Sequence, residues 1–328
     1  MANMKNISRS RSLFHYTSGE GLLGILGSGT LFASHYNFLN DKTEGNTLRE
    51  LLLPLLEKET RTFVPKLIKE GIIKPELLAA HGANYYKDEV GKMFDSMTAA
   101  TDSVSPYFIT SFCMHEEGTS DHAHGLLSQW RGYARGGYAI KFDEFAIDEL
   151  TKRESAKCRL QGILTDSVHY RDLDKIVSAE RFEGFAAALF KAVLEQVLPN
   201  AVRKLTEILG DKTPEDFADP YLSTVPFIKN IGFEEENEYR IVALCNRVDV
   251  AEDGDDREYK PMHFRHRPDG RITPFIKLFE SLDDDLPIKS VIVGPHPYQQ
   301  SQCEAVGLAL SEYGIECPIR ASGIPFRE

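Results

Sequence analysis

The stretch FEEENEYRIVAL, residues 233–244, crowds several carboxylates against one guanidinium. If Glu236 to Leu244 forms a strand, its two-residue period puts Glu236, Glu238 and Arg240 on one face, with Ile241 and Ala243 opposite. Carboxylates at that spacing oppose each other's ionisation and the arginine favours it, so one acid can stay charged while the other is tuned. Beside a ribose, a charged carboxylate can grip a hydroxyl and stabilise a developing oxocarbenium ion. The same residues also suit a structural ladder in which Arg240 pairs with one acid.

Two further stretches offer binding groups. LFHYTSGEGLLGILGSGTLF, residues 13–32, sets His15 in an apolar, strand-like run with Tyr16 and Thr17 beside it. His15 is either a hydrogen-bonded core group or a ligand-binding group at the mouth of a cleft. LSQWRGYARGGYAIKFD, residues 127–143, holds the single tryptophan, Trp130, with Tyr133 three residues on and Tyr138 at the start of a strand. That spacing lets Trp130 and Tyr133 share a helix face. They could stack on a planar ligand ring while Arg131 or Arg135 holds a phosphate, or simply fill a core. CMHEEGTSDHAHG, residues 113–125, presents Cys113, His115, His122 and His124, but at no zinc-signature spacing, so no metal site is expected. In FLNDKTE, helix capping accounts for Asp41 and Glu44. No glycine-rich dinucleotide fingerprint, phosphate-binding loop, nucleophile elbow or HExxH occurs, which disfavours Rossmann folds and P-loop NTPases.

The elements that must position these groups follow from periodicity. Strands are expected at 13–16, 30–34, 107–113, 138–143, 238–245 and 290–295, and a helix at about 19–26. A helical block runs from about 42 to 100, interrupted at Pro54, Pro65 and Pro75. A second spans about 172–225, broken near Pro199, and a last helix covers 298–313. EDGDDRE, residues 252–258, reads as a solvated acidic loop. Strands at both ends and in the middle imply one α+β domain over residues 1–328, with the two helical blocks as insertions.

The chain has 328 residues, 42% hydrophobic and 27% charged, which is ordinary for a soluble globular protein. A net charge of -12 disfavours non-specific binding to nucleic acid or an anionic membrane, although Arg9, Arg11, Arg131 and Arg135 leave room for a local basic patch. Five cysteines without a CxxC pair read as reduced thiols. With no secretory leader and no bilayer-length apolar run visible, a cytoplasmic setting and no membrane partner are expected.

Taken in order, FHYTS, LLGILGSGTLFAS, LNDKTE, ITSF, WRGYARGGYAIKFD, ENEYRI and SGIPFR resemble the bacterial family DUF2971. The opening strand and helix are also similar to those of ADP-ribosyltransferases, in particular the DarT-type DNA-modifying toxins. That resemblance implies a split central β-sheet with helical insertions and an enzyme that consumes NAD. It would cleave the nicotinamide–ribose bond and pass ADP-ribose to a macromolecule, protein or nucleic acid, as a toxin or phage-defence effector; hydrolysis of NAD and a non-catalytic ligand-sensing or interaction module are the alternatives. By the same resemblance Glu238, or Glu236 in an ExE arrangement, is the catalytic carboxylate, and His15 contacts the nicotinamide-side ribose. Tyr36, Ser111, Tyr133 and Tyr138 are candidates for the family's middle position, and Tyr16, Thr17, Trp130 and Arg240 complete the implied NAD site. The reading requires His15 and Glu238 to face one cleft.

Overall fold

A computed structural model describes residues 12–39, 44–104, 106–134, 137–245, 256–267 and 270–325. Arg9, Arg11, Arg135, Asn40 and Asp41, and most of the acidic loop, lie outside the described residues. The chain divides into two compact units. One comprises Met1–Leu39, Pro106–Ser167 and Glu235–Glu328, the other Asn40–Ser105 and Val168–Glu234.

The first unit is α+β and carries a ten-stranded mixed sheet. Its strands are β1 (Ser12–Thr17), β2 (Leu31–His35), β3 (Tyr107–His115), β4 (Tyr138–Asp143), β5 (Leu160–Ser167), β6 (Glu238–Cys245), β7 (His263–His266), β8 (Ile272–Leu278), β9 (Ile288–Val293) and β10 (Ile319–Ala321). Everything is organised around β3, whose two edges are used differently. Along one edge β6 pairs from Tyr107↔Leu244 to Cys113↔Glu238, and β5 lies beyond it. Two strands share the other edge. There β2 pairs at Ile109 and Phe108, leading on to β8 and β7, while β1 pairs from Cys113 to His115, leading on to β4, β9 and β10. The sheet therefore divides on that edge, between residues 109 and 113.

Alternation along these strands sorts the side chains. Leu13, Phe112, Met114, Ile140, Phe142, Ile241 and Ala243 face one way and join the main core with the Gly19–Ser28, Glu144–Lys157 and Gln299–Glu312 helices. Phe14, Tyr16, Cys113 and Ala139 face the other way and pack against Trp130 and Ala134. The chain is closely packed at Gly137, just before β4: a Cβ there would stand 2.6 Å from the Thr17 carbonyl oxygen and 2.7 Å from that of Ala134.

The second unit is helical. Its longest helix, Glu44–Lys69, runs through Pro54 and Pro65, correcting the expected interruptions there. Each proline removes one backbone hydrogen bond, and the buried stripe of Leu48, Leu52, Leu56, Phe63, Val64 and Leu67 holds the helix together across both. Pro75 instead opens the next helix, Pro75–His81, where its missing N–H costs nothing. The break at Pro199 separates the helices Phe185–Val197 and Val202–Leu209. Glu59 accepts the N–H groups of Ala186 and Ala187 at 3.2 and 3.1 Å, a carboxylate seated on the positive end of a helix.

Within the first unit, the Glu144–Lys157 helix is tied to the segment before β7 by an ion pair. Lys260 Nζ lies 2.5 Å from Glu154 Oε1, and both side chains are at most 2% exposed. Replacing Lys260 by Met strands a buried carboxylate and is expected to cost about 3–5 kcal/mol, whereas the double variant E154L/K260M recovers most of it. Urea denaturation midpoints of the three proteins check this.

Candidate functional site

The carboxylate stretch folds differently from a single strand. β6 begins at Glu238, and Glu236 ends a 3-10 turn, Ile231–Glu236. Between them Asn237 takes φ 43°, and its side-chain amide donates to the Met114 carbonyl at 2.7 Å, so a left-handed residue redirects the chain. Glu236 thus owes its position to this turn and not to strand alternation. Glu238 and Arg240 do share a face, as the spacing predicts, but that face is covered: they are 6% and 1% exposed. Arg240 Nε and Nη2 both donate to Glu238 Oε2, at 2.7 and 2.6 Å. On β3, Cys113 stands beside Glu238 and Ser111 beside Arg240; Asp166 on β5 flanks Arg240 on its other side.

Over this face lies the segment that carries the aromatics. The short Leu127–Gln129 helix passes into a π-helical turn, Trp130–Ala134, a rare conformation that recurs at functional sites. Trp130 is fully buried, with Nε1 donating to the His124 carbonyl at 3.1 Å and Tyr16 set edge-on to its ring at 4.9 Å. The indole is core, which removes it as a surface for stacking a ligand. Tyr133, three residues on, is 42% exposed, and its hydroxyl donates to Glu236 Oε1 at 3.4 Å. Burial, together with Glu236 and Glu238 nearby, pushes the Tyr133 phenol above its ordinary range and keeps it protonated.

His15 is placed elsewhere. Cross-strand partners share a face, and Phe14, its neighbour, is the residue aligned through Cys113 with Glu238. His15 therefore alternates to the opposite side, with Phe112, whose ring it meets at 5.8 Å, and with Thr17 and Tyr138, partners across β1 and β4. Its Nδ1–H donates to the Ser111 carbonyl at 3.1 Å, at the point where β1 and β2 diverge from β3. Burial lowers its pKa, opposed by this hydrogen bond, so the ring is neutral. Tyr138 donates to Gln302 at 2.8 Å. The expectation that His15 and Glu238 face one cleft is corrected: strand parity puts Glu238, Arg240 and Ser111 on one face and His15, Thr17 and Tyr138 on the other, while the 3-10 and π turns bring Glu236 and Tyr133 to each other.

Tyr16 shares the carboxylate face but is taken up in the core. Its hydroxyl accepts the Leu126 N–H at 2.8 Å, so its own proton goes to Nε2 of His115, also at 2.8 Å. The other histidines of the loop are engaged as well, His122 with Lys141 at 3.0 Å and His124 with the Gly323 N–H at 3.1 Å. Among the described residues, no group of three histidines, cysteines or acids could hold a metal ion. None of the five cysteines, all of them among the described residues, is in a disulfide. A solvent-open depression of about 490 Å³, lined by Asp148, Thr151 and Thr165 among others, lies on the His15 side of the sheet, away from the carboxylates.

A model of the DUF2971 family, proteins of unknown function, matches residues 129–241. The match takes in WRGYARGGYAIKFD and ENEYRI, the two segments that build the carboxylate face, and leaves out FHYTS and SGIPFR. No curated protein and no solved structure matches the chain, so a topology like that of ADP-ribosyltransferases is not shown. No helix among the described residues is long and apolar enough to cross a membrane.

Two stability tests follow. His115, buried and beside His122, has its pKa lowered to about 4 from 6.5. A depressed histidine stabilises fully above its unfolded pKa and loses that contribution as pH falls toward the folded value. Stability is expected to fall between pH 6.5 and about 4 by on the order of 3 kcal/mol, with the H115Q variant losing much of that pH dependence in urea titrations. Gly125 sits at φ 76°, and a Cβ there would come within 2.4 Å of Trp130 Cζ2, so Gly125→Ala should lower the thermal midpoint by several degrees.

Proposed function

We propose that the first unit is an enzyme that breaks an N-glycosidic bond at ribose, with NAD as the substrate class and a macromolecule or water as acceptor. The observation that carries the reading is the carboxylate face: Glu238 held by Arg240, and Glu236 joined to the half-exposed Tyr133. Nicotinamide leaves as a neutral group, so cleavage needs no strong general acid. It needs a carboxylate against the cationic ribose, hydrogen bonds that fix the hydroxyls and an aromatic surface near the ring. Glu238 is suited to the first role, Glu236 to the second and Tyr133 to the third. His15, on the other side of the sheet, has no part in substrate contact; its bond to Ser111 is structural. His15 lying on the other side of the sheet removes the two-point NAD site that the resemblance to ADP-ribosyltransferases implies, so the proposal made here is a different one that rests on β6 and the π turn alone.

A second reading has a specific observation in its favour. Nε and Nη2 of Arg240 both hold one oxygen of Glu238, as a structural pair does, which suits a non-catalytic ligand-sensing module.

Incubating the full-length protein with labelled NAD, with and without cell lysate, separates the two. The enzyme reading expects nicotinamide release that falls about 100-fold or more in E238Q and E236Q, while H15A lowers the thermal midpoint and keeps turnover per folded molecule. NAD that stabilises the protein without turnover, by about 2.7 kcal/mol at a hundredfold its dissociation constant, supports the sensing module. Neither release nor stabilisation overturns NAD as the ligand.

A further inference from the structure

A polar cup lies on the same side of the sheet as Phe14, on strands β4, β9 and β10. Lys141 aligns with Phe14 and with Ser290, and Arg320 aligns with Ile292, itself the partner of Ala139. Alternation therefore presents Lys141, Ser290 and Arg320 on one face. His122 completes the set, edge-on to Phe14 at 5.5 Å and with Nε2 at 3.0 Å from Lys141 Nζ. The pairing of β4 with β9 slips between Lys141 and Phe142, leaving Lys289 as the extra residue of a bulge, a device that re-aims side chains next to sites.

The charges do not cancel within the cup. Asp143 is committed twice, as the N-cap acceptor for Ala146 at 3.0 Å and to Lys289 at 3.5 Å. Glu117 lies near Lys141 and His122 without an ion pair to either among the described residues. Lys141 is half-buried, and its one hydrogen-bond partner among the described residues is a neutral imidazole. Arg320 likewise has no carboxylate partner there. Ser290 is only 8% exposed. Burial is the main cause that lowers the Lys141 ammonium; Glu117 and Asp143 oppose it, and Arg320 and Lys289, close enough to be felt, add to it. Lys141 is half-covered, Ser290 is covered and Arg320 stands exposed at the rim, and a tetrahedral oxyanion can accept from an ammonium, a guanidinium and a hydroxyl at once.

We infer that Lys141, Ser290 and Arg320, with His122 positioning the lysine, bind a phosphate group. The site is independent of the carboxylate face and stands whether or not that face cleaves NAD. Its ligand is either inorganic phosphate or the phosphomonoester of a nucleotide.

Isothermal titration calorimetry of the full chain with inorganic phosphate, AMP and adenosine, at constant ionic strength, tests it. Saturable phosphate binding is expected, weakened roughly tenfold in K141M and in R320Q, and unchanged in K289M, whose ammonium serves Asp143. Tighter binding of AMP than of inorganic phosphate would assign the ligand to a nucleotide, and equal binding to the free anion. Circular dichroism and thermal midpoints confirm that the variants are folded, and S290A, a smaller change, gives an independent reading if K141M is not. The inference is overturned by no saturable heat with phosphate or AMP, by adenosine binding as tightly as AMP, or by full affinity in folded K141M and R320Q.

Discussion

One constraint governs the first unit: the unequal use of the two edges of β3. β6 occupies one edge without a break, and β1 and β2 must share the other. Where they part, no strand among the described residues pairs with Ser111 on the edge away from β6. A buried, unpaired carbonyl is costly. His15 supplies the missing donor from its ring, and a neutral imidazole with hydrogen on Nδ1 is the form that can do so. The histidine that looks most like a ligand-binding group in the sequence is thus the side chain that closes the divergence of the sheet.

Because β3 is paired with β1 and β6 in fixed register, the same constraint decides which residues can meet. A side-chain period of two leaves no freedom: a slip of one residue would exchange the core face for the other. Glu238 and Arg240 fall on the side of Phe14 and Tyr16, and the apolar partners of His15 fall on the other. The segment from 125 to 134 then closes over Phe14 and Tyr16. Trp130 is wedged against Gly125, whose lack of a Cβ admits the indole, and Tyr133 is delivered to Glu236. The carboxylates, the arginine and the phenol converge because one strand register and one π turn are both satisfied.

Much of this was legible in the residues. β4 and β6 read directly from alternation bounded by glycines and polar turns, and the break at Pro199 from the missing N–H. Glu238 and Arg240 as a same-face pair followed from spacing alone. Four things were not legible. Pro54 and Pro65 look like breakers, but the buried leucines around them stabilise the helix by more than two hydrogen bonds are worth. Glu236 reads as strand, but the left-handed Asn237, a local backbone choice, separates it from β6. The side of the sheet occupied by His15 depends on which residues of β1 and β3 pair across about a hundred positions of sequence, and no local pattern encodes that. The histidines of the 113–125 loop, which read as a loose cluster, are distributed to Tyr16, Lys141 and Gly323, contacts that only the folded sheet creates.

The account holds that a ribosyl ligand is received on the Glu238 side of the sheet and that His15 stays on the Ser111 carbonyl. A crystal structure of the full chain with NAD or a non-cleavable analogue tests this most directly. The expected result is ligand density against Tyr133 and Glu236, with the His15 ring still hydrogen-bonded to Ser111. Density packed against His15, with its ring turned away from Ser111 to meet the ligand, would contradict it.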